Sequence, residues 1–566
     1  MSDDKFESTI KSVARKLLVI QNRDPYSSTY GCFDRRYWAW KLVDYPEATY
    51  QRNVYTLAWL LKHDESLSKP VQCTLLDSVC AGIDFALKIQ HKDGSFDQAF
   101  PYERSFGATA FLISPLLESI SIVGDYVPSN WKNQKIEKIY KAANFLVNNI
   151  EAHGFISNHL AGAALSLMLA YRYFGDVRFL KRSEEIVSQV LGKQSREGWF
   201  LEYDGADPGY QSLCMYYLSR YQCLNPTEKL ATALDNSVEF LAWFSHPDGT
   251  LGGEYGSRRT NIFYPGGLSI LGQSNSQASG IVLNASRGGE SGLAVSLSDV
   301  DMGNLAPLSE NQIALSENLQ NMLPPAPLPF SRKRSFRVFL EAGMVAVGYS
   351  KYYAIVGLRN GGVLKVFSKD MQKVVVDNCG YVGVTGRNKK ITTQISQDYS
   401  ILVNSENRIV FKIQFYELLD AVPTPFRMIL LRVLNLTVMR NVRMGNFIKK
   451  ILVRLLISKK KPFPATLTRD IQFSEQEISI TDVVETDAKS KSKGFRSLFF
   501  GHRFVGLHMA SSRYYPGLSA KNTPEVTIDG NELDRSVKEL STAGETTLKW
   551  NVDFRHYIAN ENTHDK

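Results

Sequence analysis

Three short clusters in the first half of the chain combine residue types that handle protons and anions. The first is Ser157-Asn158-His159, which opens the small-residue stretch LAGAALSLMLAY. The second is Asp207-Pro208-Gly209-Tyr210-Gln211, a turn running into an apolar segment. The third is Gly253-Glu254-Tyr255-Gly256-Ser257-Arg258-Arg259. An Asn amide, a His and an Arg can together neutralise a carboxylate. This matters for a uronic acid, whose C5 proton is α to the carboxylate and barely acidic while that group is charged. Donors placed around it stabilise the aci-enolate formed on deprotonation. A Tyr or His can take the proton, and a Tyr can pass one to the leaving glycosidic oxygen. The C4–O bond then breaks by β-elimination. Return of the proton to the opposite face gives the C5 epimer instead.

Each cluster also has a plainer reading. Asn-His at a helix start serves as a cap with a surface neighbour, a Tyr after Asp-Pro-Gly anchors a turn, and GSRR sits in a solvated loop. The order and spacing of the three together favour the chemical reading. A different chemistry, glycoside hydrolysis, would need paired carboxylates, and Asp93, Asp97, Glu103, Asp204, Asp207 and Glu254 are the candidates for it.

The elements that must position these clusters are legible as periodicity. Apolar residues recur at helical spacing in 51–62, 75–89, 135–150, 160–174 and 228–244. Loops of one type follow such helices: HKDGSFDQAFPYER, REGWFLEYDGADPGY and HPDGTLGGEYGSR, each with a Gly after an acidic residue and then aromatics. This predicts an internal repeat of helix, Gly-rich loop and helix, with the loops on one rim. Four prolines within 324–329 close the helical part. Beyond them the period becomes two, over 336–360 and then 374–385, 400–404, 408–416, 471–481, 503–510 and 546–555. The expected organisation is a helical domain over 1–322, a linker over 323–335 and an antiparallel β-sandwich over 336–566.

The sandwich is interrupted at 426–461, which reads as one or two basic amphipathic helices. Between Ala421 and Arg469 stand eleven Lys/Arg and no Asp or Glu, so a chain of net charge +9 is near neutral elsewhere. That segment suits an anionic membrane face or a glycan; equally, it suits a helix packed on the sandwich with its arginines in water. No helix-turn-helix, zinc-finger or RNP signature accompanies it, so nucleic acid is not expected.

At 566 residues, the chain exceeds what one core serves, and 44% hydrophobic with 22% charged residues is a globular composition. Cys32, Cys73, Cys80, Cys214, Cys223 and Cys379 form no CxxC pair, which suits free thiols in a reducing compartment. The start, MSDDKFESTI, lacks a basic region and an apolar core, and no apolar run is long enough for a spanning helix. The expectation is a cytoplasmic protein, attached at the inner membrane face if the basic segment meets lipid. Oligomeric state leaves no trace in the sequence.

Asn158-His159, then GADPGYQSL at 205–213, then GGEYGSRRTNIFYPGG at 252–267, resemble the heparinase II/III-like polysaccharide lyases and their alginate-lyase relatives. The opening GCFDRRYWAWKLVDYP at 31–46 resembles toroid domains from bacterial surface-polysaccharide clusters. The resemblance implies an incomplete (α/α) toroid followed by a β-sandwich, and a lyase acting on an acidic polysaccharide. It implies that Asn158 and His159 neutralise the uronate carboxylate, with His159 the base for one stereochemistry, and that Tyr210 is the catalytic base or acid. Arg258 joins this catalytic set, and Glu254, Arg259, Tyr102, Arg104 and Gln211 are the substrate-binding candidates. Such lyases add a His or Tyr from the β-domain; Tyr352, Tyr353, Tyr381, His502 and His508 are available. Some relatives hold a structural divalent metal there, for which no ligand spacing is present, and no cofactor is expected. The alternatives are a uronate C5-epimerase or other modifying enzyme of capsule or O-antigen synthesis, and a non-catalytic glycan-binding protein on the same scaffold.

Overall fold

A computed structural model describes residues 3–151, 154–418, 424–441, 444–448, 461–486, 494–501, 539–540 and 544–554. Helices occupy the chain from Asp3 to Asn318 and strands follow from Ser335. The helices are of two kinds. Phe106–Val123, Ser157–Phe174 and Pro208–Leu224 are buried on nearly every face and contact one another in turn, forming an inner wall. Ser129–Asn148, Val177–Leu191 and Glu228–Trp243 bury one stripe and cover that wall from outside. A helix apolar all round must be enclosed, and an amphipathic one can face water. Alternation of the two kinds along the chain gives the toroid. Lys69–Lys88 and Phe106–Val123 are long and apolar enough to cross a membrane by length and composition, yet 50% and 78% of their windows are buried in this core.

The repeat expected from the Gly-rich loops is present atom by atom. In each loop a residue a few places beyond the preceding helix donates its N–H across the turn, His91 to Ser95, Ser195 to Trp199 and His246 to Thr250. Gly94, Gly198 and Gly249 then donate back to His91, Ser195 and His246. All three glycines have φ between +79° and +96°, and a Cβ on any of them would stand within 2.3 Å of backbone in the outer helix beside it. Glycine is therefore required twice over, for the left-handed turn and for the close approach. Gln90 and Gln194 each donate to the carbonyl of the turn glycine and to an outer-helix carbonyl, Lys138 or Ala233. Gln21 makes the same pair of bonds, to Gly31 and Ser78.

Five antiparallel strands form the first sheet in sequence order: β1 (Ser335–Phe339), β2 (Met344–Gly348), β3 (Tyr352–Gly357), β4 (Leu364–Ser368) and β5 (Lys373–Asn378). The second sheet contains β6 (Tyr381–Thr385), β7 (Lys390–Thr392), β8 (Tyr399–Ser405), β9 (Arg408–Glu417), β10 (Lys461–Phe473), β11 (Glu477–Thr486), β12 (Phe495–Phe500) and β13 (Glu545–Asp553). Its order is β12-β6-β7-β9-β10-β11-β13, with β8 also on β9. Alternation decides which core each residue joins. Met344, Ala346, Tyr353 and Ile355 merge with the helical core, whereas Val345, Val347, Tyr352 and Ala354 face the second sheet. Phe339 fills the seam against Phe240, Trp243 and Phe244.

Two expected strands were each two. Residues 374–385 break at Cys379-Gly380 and pass from one sheet to the other, and 471–481 is the turn of the β10–β11 hairpin. Residues 503–510 lie outside the described residues. In the basic segment, Pro425–Leu436 is a helix capped by Thr424, and the segment's expected end, Lys461, is the first residue of β10. This helix rests against toroid loops rather than in the sandwich core: Arg432 pairs with Asp44 at 3.0 Å, and Arg440 stacks on Tyr102.

Candidate active site

The helix Ser157–Phe174 starts without a side-chain cap of its own. Its first turn is anchored from outside, by the loop that follows Trp199. Ser157 donates its N–H and its hydroxyl to the Leu201 carbonyl. The next residue, Glu202, lies beneath the helix start and accepts three bonds from Asn158, one from its backbone N–H and two from its side-chain amide, all at 2.9 Å. Asn158 is therefore not the cap, as its plainer reading held; the carboxylate satisfying the helix terminus comes from another segment.

The loop at 253–260 docks onto the same segment. Ser257 donates its N–H to the Ala206 carbonyl and its hydroxyl to that of Glu202. This brings the Arg258 guanidinium to 3.4 Å from Glu202 Oε2 and 3.7 Å above the Tyr210 ring, with the Tyr203 ring on a further side at 5.0 Å. Burial works against the charge of Arg258, but Tyr210, Glu202, Tyr203 and Asp207 outweigh it and its pKa is raised. Burial pushes the Glu202 carboxyl up, opposed by Arg258 and Asn158. Tyr203 is also pushed up, by burial first, and holds a left-handed φ of +58°; such strain gathers where surroundings over-determine a residue.

Tyr210 stands at the start of the helix Pro208–Leu224, capped by Asp207. It is half-buried, and its hydroxyl makes no hydrogen bond among the described residues. His159 is also half-buried. Its Nδ1 lies 2.8 Å from Glu151 Oε2, and its ring packs edge-on to Phe111. A carboxylate only accepts, so the bond to Glu151 places the proton on Nδ1 and leaves the Nε2 lone pair available.

The other candidates lie elsewhere. Gln211 is fully buried, accepting from the Phe200 N–H and donating to the Gly198 and Ser237 carbonyls, so it braces the repeat turn. Glu254 points at the seam, 3.0 Å from Lys365, whose ammonium also meets Asp377 at 3.4 Å. Arg259 donates to the Gln394 carbonyl and has its pKa lowered to about 9 by burial, with Cys379, Glu254 and Asp207 opposing. Tyr102 and Arg104 both have left-handed backbone and donate their N–H groups to Asp97. The hydroxyls of Tyr352, Tyr353 and Tyr381 are taken by Ser474, Trp243 and Asp482. His502 and His508 lie outside the described residues. The carboxylates considered for hydrolysis are used within loops: Asp207 accepts the N–H groups of Tyr210, Arg258 and Thr260, and Glu103 those of Gln98 and Ala99. Among the described residues no group of three or more His, Cys, Asp or Glu is placed to hold a metal ion.

The structure thus gathers Asn158, Tyr210 and Arg258 around Glu202, with His159 on the same helix turn as Asn158. Glu202, Tyr203 and Glu151 escape a sequence reading, because an acidic or aromatic residue in a polar loop looks solvated.

Residues 72–272, which contain Asn158, His159, Tyr210 and Arg258, match the family model described as the ulvan lyase N-terminal domain. The fold, a helical toroid followed by antiparallel β-sheets, is one that solved polysaccharide lyases share. A xanthan lyase from Paenibacillus superposes over 88% of this chain with a TM-score of 0.53 at 10% identity; the match covers 46% of that enzyme, so the present chain spans about half its length. The chondroitin AC lyase of Streptomyces coelicolor A3, solved with chondroitin sulphate, superposes over 86% of this chain and 67% of its own, with a TM-score of 0.51 at 11% identity. At such identities the likeness is one of fold: helical toroid first, β-sandwich second. No curated protein matches the chain.

Proposed function

We propose that this lyase scaffold is catalytic and cleaves a uronic-acid-containing polysaccharide by C5 proton abstraction and β-elimination. The observation that carries the reading is the hub at Glu202, which fixes an Asn amide and an Arg guanidinium, with that guanidinium laid on a Tyr whose hydroxyl has no hydrogen bond among the described residues. In this reading Arg258 neutralises the substrate carboxylate, and Asn158 holds Glu202 beneath it. Stabilisation of the aci-enolate then comes from donors already in place before reaction, which is where electrostatic catalysis gains most. Tyr210 or His159 Nε2 takes the C5 proton, according to which face of the sugar carries it. In the same reading Tyr210 protonates the leaving oxygen. Burial raises the pKa of Glu202, while Arg258 and the Asn158 donors favour its charged form.

Arg258, a permanently charged donor, supports an acidic substrate, since a neutral sugar would not require it. The test is ultraviolet absorbance from the conjugated double bond of an unsaturated uronate, with wild type and Tyr210→Phe incubated on a panel of uronate polysaccharides. A rise with wild type and none with the variant supports elimination through Tyr210. Solvent deuterium at C5 without absorbance would overturn elimination in favour of epimerisation.

A further inference from the structure

We propose that the helix Pro425–Leu436 is a docking surface for an anionic lipid bilayer. A surface helix of a globular protein turns its apolar stripe inward. This helix does the reverse. Phe426, Ile429, Leu430, Val433 and Leu436 follow helical spacing and form one stripe, and that stripe faces out: Phe426 is 74% exposed, Ile429 63% and Val433 52%. Of the whole helix only Asn435 is buried.

The helix is nonetheless held. Thr424 caps it by accepting the Arg427 N–H. Arg432 reaches Asp44 at 3.0 Å, and just beyond the helix Arg440 donates to the Tyr102 hydroxyl at 3.2 Å. The loop that supplies Asp44 also presents Trp40 and Leu42, 66% and 77% exposed. The exposed stripe is thus fastened next to a second apolar projection, and a Trp at such a place is the residue type that settles at the headgroup level.

Charge selects the occupant. From position 425 to 460 the sequence carries nine Lys/Arg without one Asp or Glu; Lys461 and Arg469 belong to β10, paired with Glu417 and Asp482. A second copy of the chain would bring the same positive charge to the contact, which disfavours self-association. A polyanionic glycan would match the charge but has no use for a stripe of Phe, Ile, Leu and Val. An anionic bilayer takes both, the apolar face entering the acyl boundary and the basic residues meeting the headgroups.

The test is flotation of the full chain with vesicles of phosphatidylcholine alone and of phosphatidylcholine with phosphatidylglycerol. The expected result is flotation only with phosphatidylglycerol present, weakened by salt. Ile429→Ser with Val433→Ser should weaken it at least about tenfold, since two apolar side chains no longer enter the bilayer; Arg427→Gln should weaken it less. Because these side chains are exposed, circular dichroism and thermal melting should match wild type, which separates lost docking from lost folding. Failure to float with either vesicle would overturn the proposal, as would equal flotation with both. A dimer in analytical ultracentrifugation that the Ser variants dissociate, without vesicle binding, would assign the stripe to another copy and overturn it too.

Discussion

The guanidinium carbon of Arg258 lies 3.7 Å from the centre of the Tyr210 ring, and one carboxylate holds both residues in place. Asp207 accepts the Tyr210 N–H on Oδ1 and the Arg258 N–H on Oδ2, at 3.0 and 2.8 Å. Asp207 is buried, and burial raises its pKa against those N–H donors. The same side chain caps a helix and clamps the loop that lies across that helix start, so the local rule of N-capping and the long-range assembly of the site share one residue. Gly256 completes the fit: a Cβ there would stand 2.7 Å from Asp207 Oδ2.

Replacement of Tyr210 by Phe isolates its hydroxyl. The ring beneath Arg258 is kept, and no hydrogen bond among the described residues is lost. Melting temperature should change little, while turnover on a uronate polysaccharide should fall by about 10²- to 10⁴-fold, the usual contribution of a positioned proton-transfer group, with KM within a few-fold of wild type. A large loss of stability with only a modest loss of turnover would make Tyr210 a packing residue.

Glu202→Gln tests the hub. The amide can still accept from the Asn158 N–H, but it cannot receive Asn158 Nδ2 on both atoms, and it leaves the buried Arg258 without its carboxylate partner at 3.4 Å. Breaking a buried pair costs about 3–5 kcal/mol, and misplacing two donors costs roughly 10²-fold in rate. Both chemical denaturation and turnover should therefore suffer. Glu202→Asp, which keeps the charge but shortens the arm, should recover stability more fully than turnover. Equal recovery of the two would reduce Glu202 to a structural brace.

The legibility of this site in the sequence follows residue type. Asn158, Tyr210 and Arg258 stood out because each lies in a short cluster of chemically capable neighbours. Glu202 did not, because a lone acidic residue in a loop is ordinarily solvated, and only the docking of 199–206 beneath Ser157 shows otherwise. Gln211 misled in the opposite sense: it sits beside Tyr210, yet its amide is spent on Gly198 and Ser237. The repeat was visible through its glycines, whose φ and packing leave no substitute, but not through Gln21, Gln90 and Gln194, since a glutamine bracing two carbonyls looks like any polar residue. The basic segment was legible as amphipathic helix; which way its stripe faces depends on the loop carrying Asp44, far away in sequence.

Gly107 gives a test of His159 that leaves the imidazole in place. A Cβ at Gly107 would stand 2.6 Å from His159 Nδ1, the atom bonded to Glu151. Gly107→Ala should turn the ring off Glu151 at little cost to the fold, since an imidazole can rotate and Ala favours a helix over Gly by about 1 kcal/mol. Turnover should drop. Glu151→Gln should lower it too, because it removes the carboxylate that fixes the tautomer. Unchanged turnover in both variants would take His159 out of the proton path.

The seam between toroid and sandwich should make stability depend on pH. Lys365 lies between Glu254 and Asp377, one ammonium for two carboxyls. Glu254 keeps its charge, its pKa lowered because Lys365 and its hydrogen-bond donors outweigh burial. Asp377 is pushed up from 3.8 to about 7, by burial first and by Glu254 as well, against the pull of Lys365. Between those two values the folded protein retains a proton on Asp377 that the unfolded chain has released. The contribution of this group to stability is therefore complete below about pH 4 and is lost as pH rises to about 7, with a slope of at most ~1.4 kcal/mol per pH unit. Other carboxyls impose their own slopes, so the comparison is with Asp377→Asn, which cannot ionise. In urea denaturation from pH 5 to 8, the variant should gain on wild type as pH rises and the difference should level off above about pH 7. Parallel curves across that range would mean that Asp377 is already ionised throughout, its charge shared with Glu254 on Lys365.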